Sequence, residues 1–171
     1  MKTKSRNTIV ALIVFSTTIF NGCKKGEDGA PGKDGSSNVT SYTYSISTWS
    51  YSSPAWYKNL SFPEITSANI NTVSVQAYIY TATNTWTALP NTFYNSGGAN
   101  YLMGFETTVG VIRINWIYNS SLSAGDNPNT FFGTSASQFK VVAIPPSIMI
   151  ANPNLNLKDY NQVKQILNLK D

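Results

Sequence analysis

From Asn38 onward, apolar and polar residues alternate along the chain. Tyr42, Tyr44 and Ile46 fall on one side, with Thr43 and Ser45 between them. Val73, Val75, Ala77 and Ile79 share a face, with Ser74, Gln76, Tyr78 and Tyr80 opposite; Ile112, Ile114 and Trp116 share another, with Arg113 and Asn115 opposite. Successive side chains of a strand point to opposite faces, so this period of two predicts strands with one buried face. Trp56 to Phe62, Thr85 to Leu89, Tyr101 to Thr107 and Gln138 to Ile144 are further strand candidates. Turn chemistry separates them at Ser53-Pro54, Asn95-Ser96-Gly97-Gly98, Gly125-Asp126-Asn127-Pro128 and Pro145-Pro146. Many short strands with such punctuation predict an all-β domain, either a jelly-roll-like β-sandwich or a small barrel.

The period changes near the C-terminus. Leu157, Tyr160, Val163, Ile166 and Leu167 have helical spacing, and Asp159 with Gln162 reads as a capping box. This predicts one short helix over about 159–168. A helix of that length does not persist alone, so it is expected to dock over an end or edge of a sheet.

The N-terminal pattern belongs to neither class. Lys2, Lys4 and Arg6 precede the apolar run Ile9 to Phe15, and Phe20-Asn21-Gly22 leads into Cys23, the one cysteine of the chain. A basic start, a short apolar stretch and a small residue before the cut describe a secretory signal peptide. The stretch from Ile9 to Phe20 falls short of the roughly 20 apolar residues that span a bilayer. Cysteine directly after the small residue resembles the lipobox of bacterial lipoproteins. That resemblance implies removal of residues 1–22, lipidation of Cys23, and membrane attachment through two or three acyl chains. More than one chain is what durable anchoring takes. Lys24, rather than Asp, follows the cysteine, which by the same resemblance favours the outer membrane or cell surface within the cell envelope.

Gly26, Gly29, Gly32 and Gly35 then repeat every third position. This is the collagen G-x-y period, in which only glycine fits the axis of a triple helix. So few triplets hold three chains together only beside a trimerising domain. Residues 23–37 are therefore expected to be a hydrophilic tether, with a homotrimeric stalk as the alternative, and residues 38–171 form the β domain. The combination of Gly22-Cys23, the Gly26 to Gly35 triplets, Thr85-Trp86-Thr87-Ala88-Leu89-Pro90, Phe139 to Pro145 and Asp159 to Val163 resembles uncharacterised collagen-like lipoproteins of Bacteroidetes-type bacteria. The resemblance implies architecture and location; that group has no assigned activity.

Charge changes its meaning once the signal is set aside. The chain carries a formal +4, and Lys2, Lys4 and Arg6 account for three of those charges. Between Ser36 and Leu157, Lys58, Arg113 and Lys140 balance Glu64, Glu106 and Asp126. A near-neutral domain has no long-range field to draw in nucleic acid, so nucleic-acid binding is not expected. With one cysteine, stability comes from packing and strand hydrogen bonds rather than disulfides.

Candidate chemistry is sparse. The chain has no histidine, which removes Ser-His-Asp and Cys-His catalysis and His-containing zinc sites. Glu64, Glu106 and Asp126 are the carboxylates a glycosidase would have to pair across one bond, a remote reading because nothing in their spacing joins them. Asp126-Asn127-Pro128-Asn129 offers oxygen ligands, but without the acidic groups and spacing of an EF-hand it reads as a turn. No catalytic residue, metal or cofactor is assigned. The expectation is a non-enzymatic, lipid-anchored envelope protein with a structural or adhesive role and an envelope protein as partner. The alternative is a carbohydrate-binding module presenting Trp49, Tyr51, Trp56 and Trp86 to a glycan, since aromatic faces stack on sugar rings; aromatics also fill β cores.

Overall fold

Residues 39–81, 85–118 and 126–169 are described by the computed structural model. The signal sequence, Cys23 and the glycine triplets lie outside them. The strands are β1 (Thr40–Ile46), β2 (Ser50–Ser52), β3 (Ala55–Ser61), β4 (Ser74–Tyr80), β5 (Trp86–Ala88), β6 (Asn91–Tyr94), β7 (Asn100–Thr108), β8 (Val111–Tyr118) and β9 (Ser137–Ile144). The helices are α1 (Pro128–Phe132), α2 (Pro146–Ala151) and α3 (Tyr160–Leu167).

The strands form two sheets, one ordered β1-β9-β4-β5 and the other β2-β3-β8-β7-β6. Every strand pair is antiparallel. The protein is therefore an all-β sandwich; the sheets stay separate and do not close into a barrel. The core between them follows the alternation read from sequence. Ala77, Ile79, Phe139 and Val141 from one sheet meet Leu60, Met103, Ile112, Ile114 and Trp116 from the other. Each fully buried side chain of this kind contributes about 1.5–3 kcal/mol.

The four-stranded sheet is buried on both faces. Tyr78, Val142 and Ile144 point away from the sandwich core into a second cluster with Leu155, Tyr160, Val163 and Leu167. The C-terminal helix α3 thus lies over a sheet face, not over an end or edge as its length suggested. The face of β4 that alternation marks as outer, with Gln76 and Tyr78, is buried for this reason. Central strand β9 is correspondingly buried at every position but Gln138.

Helix α3 begins as the capping pattern predicts, with the Gln162 amide donating to Asp159 Oδ1 at 3.2 Å. The return half of the box goes elsewhere: Gln162 Oε1 accepts from the Asn156 amide at 2.6 Å. This ties the helix start to the preceding loop. Sequence reasoning missed α1 and α2. In α1, Asn127 caps the first turn by accepting from the Thr130 amide at 3.1 Å, and Pro128 occupies the first turn, where its missing N–H costs nothing. Gly133 ends it at φ +64°, a left-handed conformation that glycine adopts without strain. The proline pair at 145–146 starts α2 rather than only breaking the chain.

Candidate functional site

The four aromatics proposed as a glycan platform occupy different surroundings. Register pairs Tyr51 with Trp56, and Trp56 with Trp116, so all three share the inner side of the five-stranded sheet. The Tyr51 and Trp56 rings sit 5.0 Å apart. Trp56 is half-buried against the core, and Tyr51 is exposed beside it. Trp49 packs edge-on to Phe139 at 5.8 Å and donates its indole N–H to Asn129 Oδ1 at 3.2 Å. Trp86 lies on the far side of the four-stranded sheet, between Tyr80 at 5.2 Å and Tyr160 at 5.5 Å. The structure brings Tyr51 and Trp56 together and places Trp86 on a separate surface. Cys23 lies outside the described residues.

The three carboxylates are spread over different elements. Glu64 follows β3 and accepts from the Tyr42 hydroxyl at 2.7 Å. Glu106 lies in β7 opposite Arg113, on the outer face of the five-stranded sheet. The Asp126 amide donates to the Tyr101 hydroxyl at 3.5 Å, which places it near the other end of β7, five residues or about 17 Å along the strand from Glu106. None of the three lines a cleft described below.

The Asp126 to Asn129 turn uses its oxygens internally. The Asp126 carbonyl accepts from the Trp116 indole at 2.8 Å. Asn129 Oδ1 accepts from Trp49 Nε1, the Ser137 amide at 3.0 Å and Ser137 Oγ at 2.7 Å, while its Nδ2 donates to the Ser47 carbonyl at 3.0 Å. One side chain therefore pins the β1–β2 connection, Trp49, α1 and the start of β9. Among the described residues, no cluster of three His, Cys, Asp or Glu side chains forms a metal site.

Beneath α3 sits a group that sequence reasoning missed. Lys140, 2 % exposed, donates to the Tyr160 hydroxyl at 2.8 Å. Its ammonium lies 5.0 Å from the Trp86 ring centre and 5.3 Å from that of Tyr160. The aromatic faces and the phenol oxygen replace part of the lost hydration of the charge. The neighbouring Tyr78 hydroxyl donates to the Leu157 carbonyl at 2.8 Å, and burial, followed by the charges of Tyr160 and Asp159, raises its pKa. A cleft of about 350 Å³ opens beside this group, lined by Trp86, Lys158, Asp159 and Tyr160 among others.

At the other edge of the sandwich, Tyr44 donates to the Ser61 carbonyl at 2.6 Å, and burial together with nearby Glu64 and Tyr42 pushes its pKa up to about 12. Tyr42 is raised by its hydrogen bond to Glu64. These phenols are held protonated by structural contacts.

The outer face of the five-stranded sheet carries no helix in the described residues. Register aligns Thr92, Leu102 and Ile117 across β6, β7 and β8, with Tyr94 opposite Asn100 in the neighbouring row. These residues line a cleft of about 460 Å³. Tyr94 is 69 % exposed and Leu102 44 %. In sequence, Leu102 falls on the outward side of the alternating β7 run, with Asn100 and Glu106, and that misplacement was the available signal; the run holding Tyr94 is too short to alternate. Among the described residues, no helix is long and apolar enough to cross a membrane. Compared with protein families, curated proteins and solved structures, the chain finds no match.

Proposed function

We propose that this chain is a lipid-anchored cell-envelope protein that works by contact rather than catalysis, with the outer face of the five-stranded sheet as its contact surface. The observation that carries the reading is the asymmetry of the sandwich. The C-terminal segment covers the outer face of one sheet, while that of the other presents Tyr94 and Leu102 to solvent. Gly22-Cys23 after the apolar run supports attachment at the outer membrane or cell surface. The glycine triplets support a tether that holds the domain away from the bilayer. The placement of Glu64, Glu106 and Asp126 on different elements and the internal use of the Asp126 to Asn129 turn support a role other than hydrolysis.

The experiment is performed in intact cells. Cys23→Ser moves the protein from the detergent-rich to the aqueous phase and abolishes incorporation of labelled fatty acid. A photo-crosslinking residue at Leu102 forms adducts with an envelope component, and the same residue at Ile166 on α3 does not. Unchanged partitioning of the serine variant refutes the anchor. Absence of adducts at Leu102 refutes the contact surface.

A further inference from the structure

We infer that the cleft at the β6–β7–β8 end of the open sheet face binds a neutral saccharide, with Tyr94 as the stacking platform. The inference rests on the proposed contact surface and names its ligand class.

Tyr94 stands apart from the other tyrosines and tryptophans. Each of the others has a ring partner, a cation over its face or a hydrogen bond: Tyr57 carries Arg113 at 4.0 Å, Tyr51 and Trp56 face each other, and Trp86 sits among Tyr80, Tyr160 and Lys140. The Tyr94 ring has no such contact among the described residues, and the residue is 69 % exposed. An amphipathic ring with an unoccupied face suits a ligand with an apolar surface and a polar rim, and a pyranose has that shape.

The lining chemistry narrows the class. Thr92 and Asn100 supply a hydroxyl and an amide, neither hydrogen-bonded by its side chain to another described residue, and Leu102 and Ile117 form the floor. The phenol of Tyr94 is the one ionisable group in the lining. The nearest charged pair on this face in register, Glu106 and Arg113, is four residues along the strands, or about 13 Å away. An uncharged site with directional donors and acceptors does not select an acidic or basic ligand. A purely apolar peptide segment would cover Asn100 and Thr92 without satisfying them, and that is unfavourable for each group left unpaired. The volume of about 460 Å³ lies within the range of small-ligand clefts.

The test uses the full chain, purified in detergent, on an array of neutral glucan, mannan and xylan oligosaccharides with polygalacturonate as the charged control. Binding to at least one neutral sugar is expected, and none to polygalacturonate. Tyr94→Ala weakens that binding by about tenfold or more, Tyr94→Phe retains it, and Asn100→Ala weakens it by about three- to tenfold. Tyr51→Ala leaves it unchanged. Tyr94 is exposed, so circular dichroism of its variants remains that of the parent. Failure of every neutral sugar to bind, or binding that survives Tyr94→Ala, overturns the inference. A chain that self-associates through this face instead, with a dimer lost in Leu102→Arg and no sugar bound, also overturns it. Crosslinks from Leu102 that persist without sugar binding overturn the saccharide while leaving the contact surface standing. Absence of both removes both.

Discussion

Replacing Asn129 by alanine isolates what holds the two sheets in register at the α1 end. The substitution removes one donor and an acceptor shared by three groups. Ser137 is 2 % exposed, so its amide and hydroxyl have no ready access to water. A buried polar group left unpaired costs about 1–3 kcal/mol. The Trp49 indole and the Ser47 carbonyl lie nearer solvent and lose about 0.5–1 kcal/mol each. The contacts share one oxygen and do not add fully, which brings the total to about 3 kcal/mol. For a domain of this size that is a fall in Tm of about 10 °C. Asn95 supplies the comparison. Its Oδ1 accepts from the Gly97 amide at 3.0 Å and the Ala99 amide at 2.9 Å, in a turn with Ser96, Gly97 and Gly98 exposed. Water replaces much of that loss, so Asn95→Ala costs about 1 kcal/mol. Urea unfolding followed by tryptophan emission measures both, and Asn129→Ala also shifts native emission to the red as Trp49 loses its partner. Equal midpoints for the two variants at equal slope would refute the argument that burial, and not bond number, sets the cost.

Two further predictions concern titratable groups. Lys140→Ala leaves a cavity under α3 and an unpaired Tyr160 hydroxyl, and lowers unfolding free energy by about 2–4 kcal/mol; Lys140→Met leaves the same hydroxyl unpaired but fills the cavity, and loses only about 1–2 kcal/mol. Urea midpoints check this, and a methionine variant as damaged as the alanine one counts against it. At alkaline pH, the fold keeps Tyr44 protonated, with its pKa raised from 10.0 to about 12. The folded state then binds the proton more tightly than the unfolded chain, so this contribution is complete below about pH 10 and is lost as pH rises through about 12. Glu64→Gln removes the anion facing Tyr42 and Tyr44 and moves the tyrosinate absorbance change to lower pH; an unmoved titration curve contradicts that role for Glu64.

Legibility in the sequence followed element length for every strand but β5, whose three residues fall within the Thr85 to Leu89 candidate. The seven residues of β4 and eight of β8 are long enough for a period of two to declare itself, and their inner faces are the residues that alternation selects. β2 has three residues and β6 four, too few for a period, and both were missed. Helix α1 was hidden because Phe131 and Phe132 are adjacent rather than spaced; their rings pack on Trp116 at 5.1 and 5.9 Å. The ligand-binding expectation met a different obstacle. Whether an aromatic ring is free depends on partners distant in sequence, as with Trp49 and Phe139, or Trp86 and Tyr160. Composition singled out the tryptophans, while among the described tyrosines and tryptophans the ring with no partner is a tyrosine in a short edge strand.

The two outer faces differ in a way that the strand sequences encode at the level of single positions. Outward positions of β9 include Val142 and Ile144, with Tyr78 beside them in β4. Exposure of that row would leave a large apolar surface, and α3 supplies Tyr160, Val163 and Leu167 to bury it. Outward positions of the five-stranded sheet include Asn59, Glu106, Arg113 and Asn115, with the Tyr57 ring under Arg113; they keep that face largely polar, and no covering layer lies on it among the described residues. Against this polar background, Tyr94, Leu102 and Ile117 are confined to one end. A scattered apolar residue on a β surface needs no explanation. Three in one cleft, beside an amide and a hydroxyl with no side-chain hydrogen bond among the described residues, on the face that those residues leave open, form a local exception. Their removal by polar substitution would leave the core untouched, so their contribution lies in what the face meets rather than in holding the sandwich together.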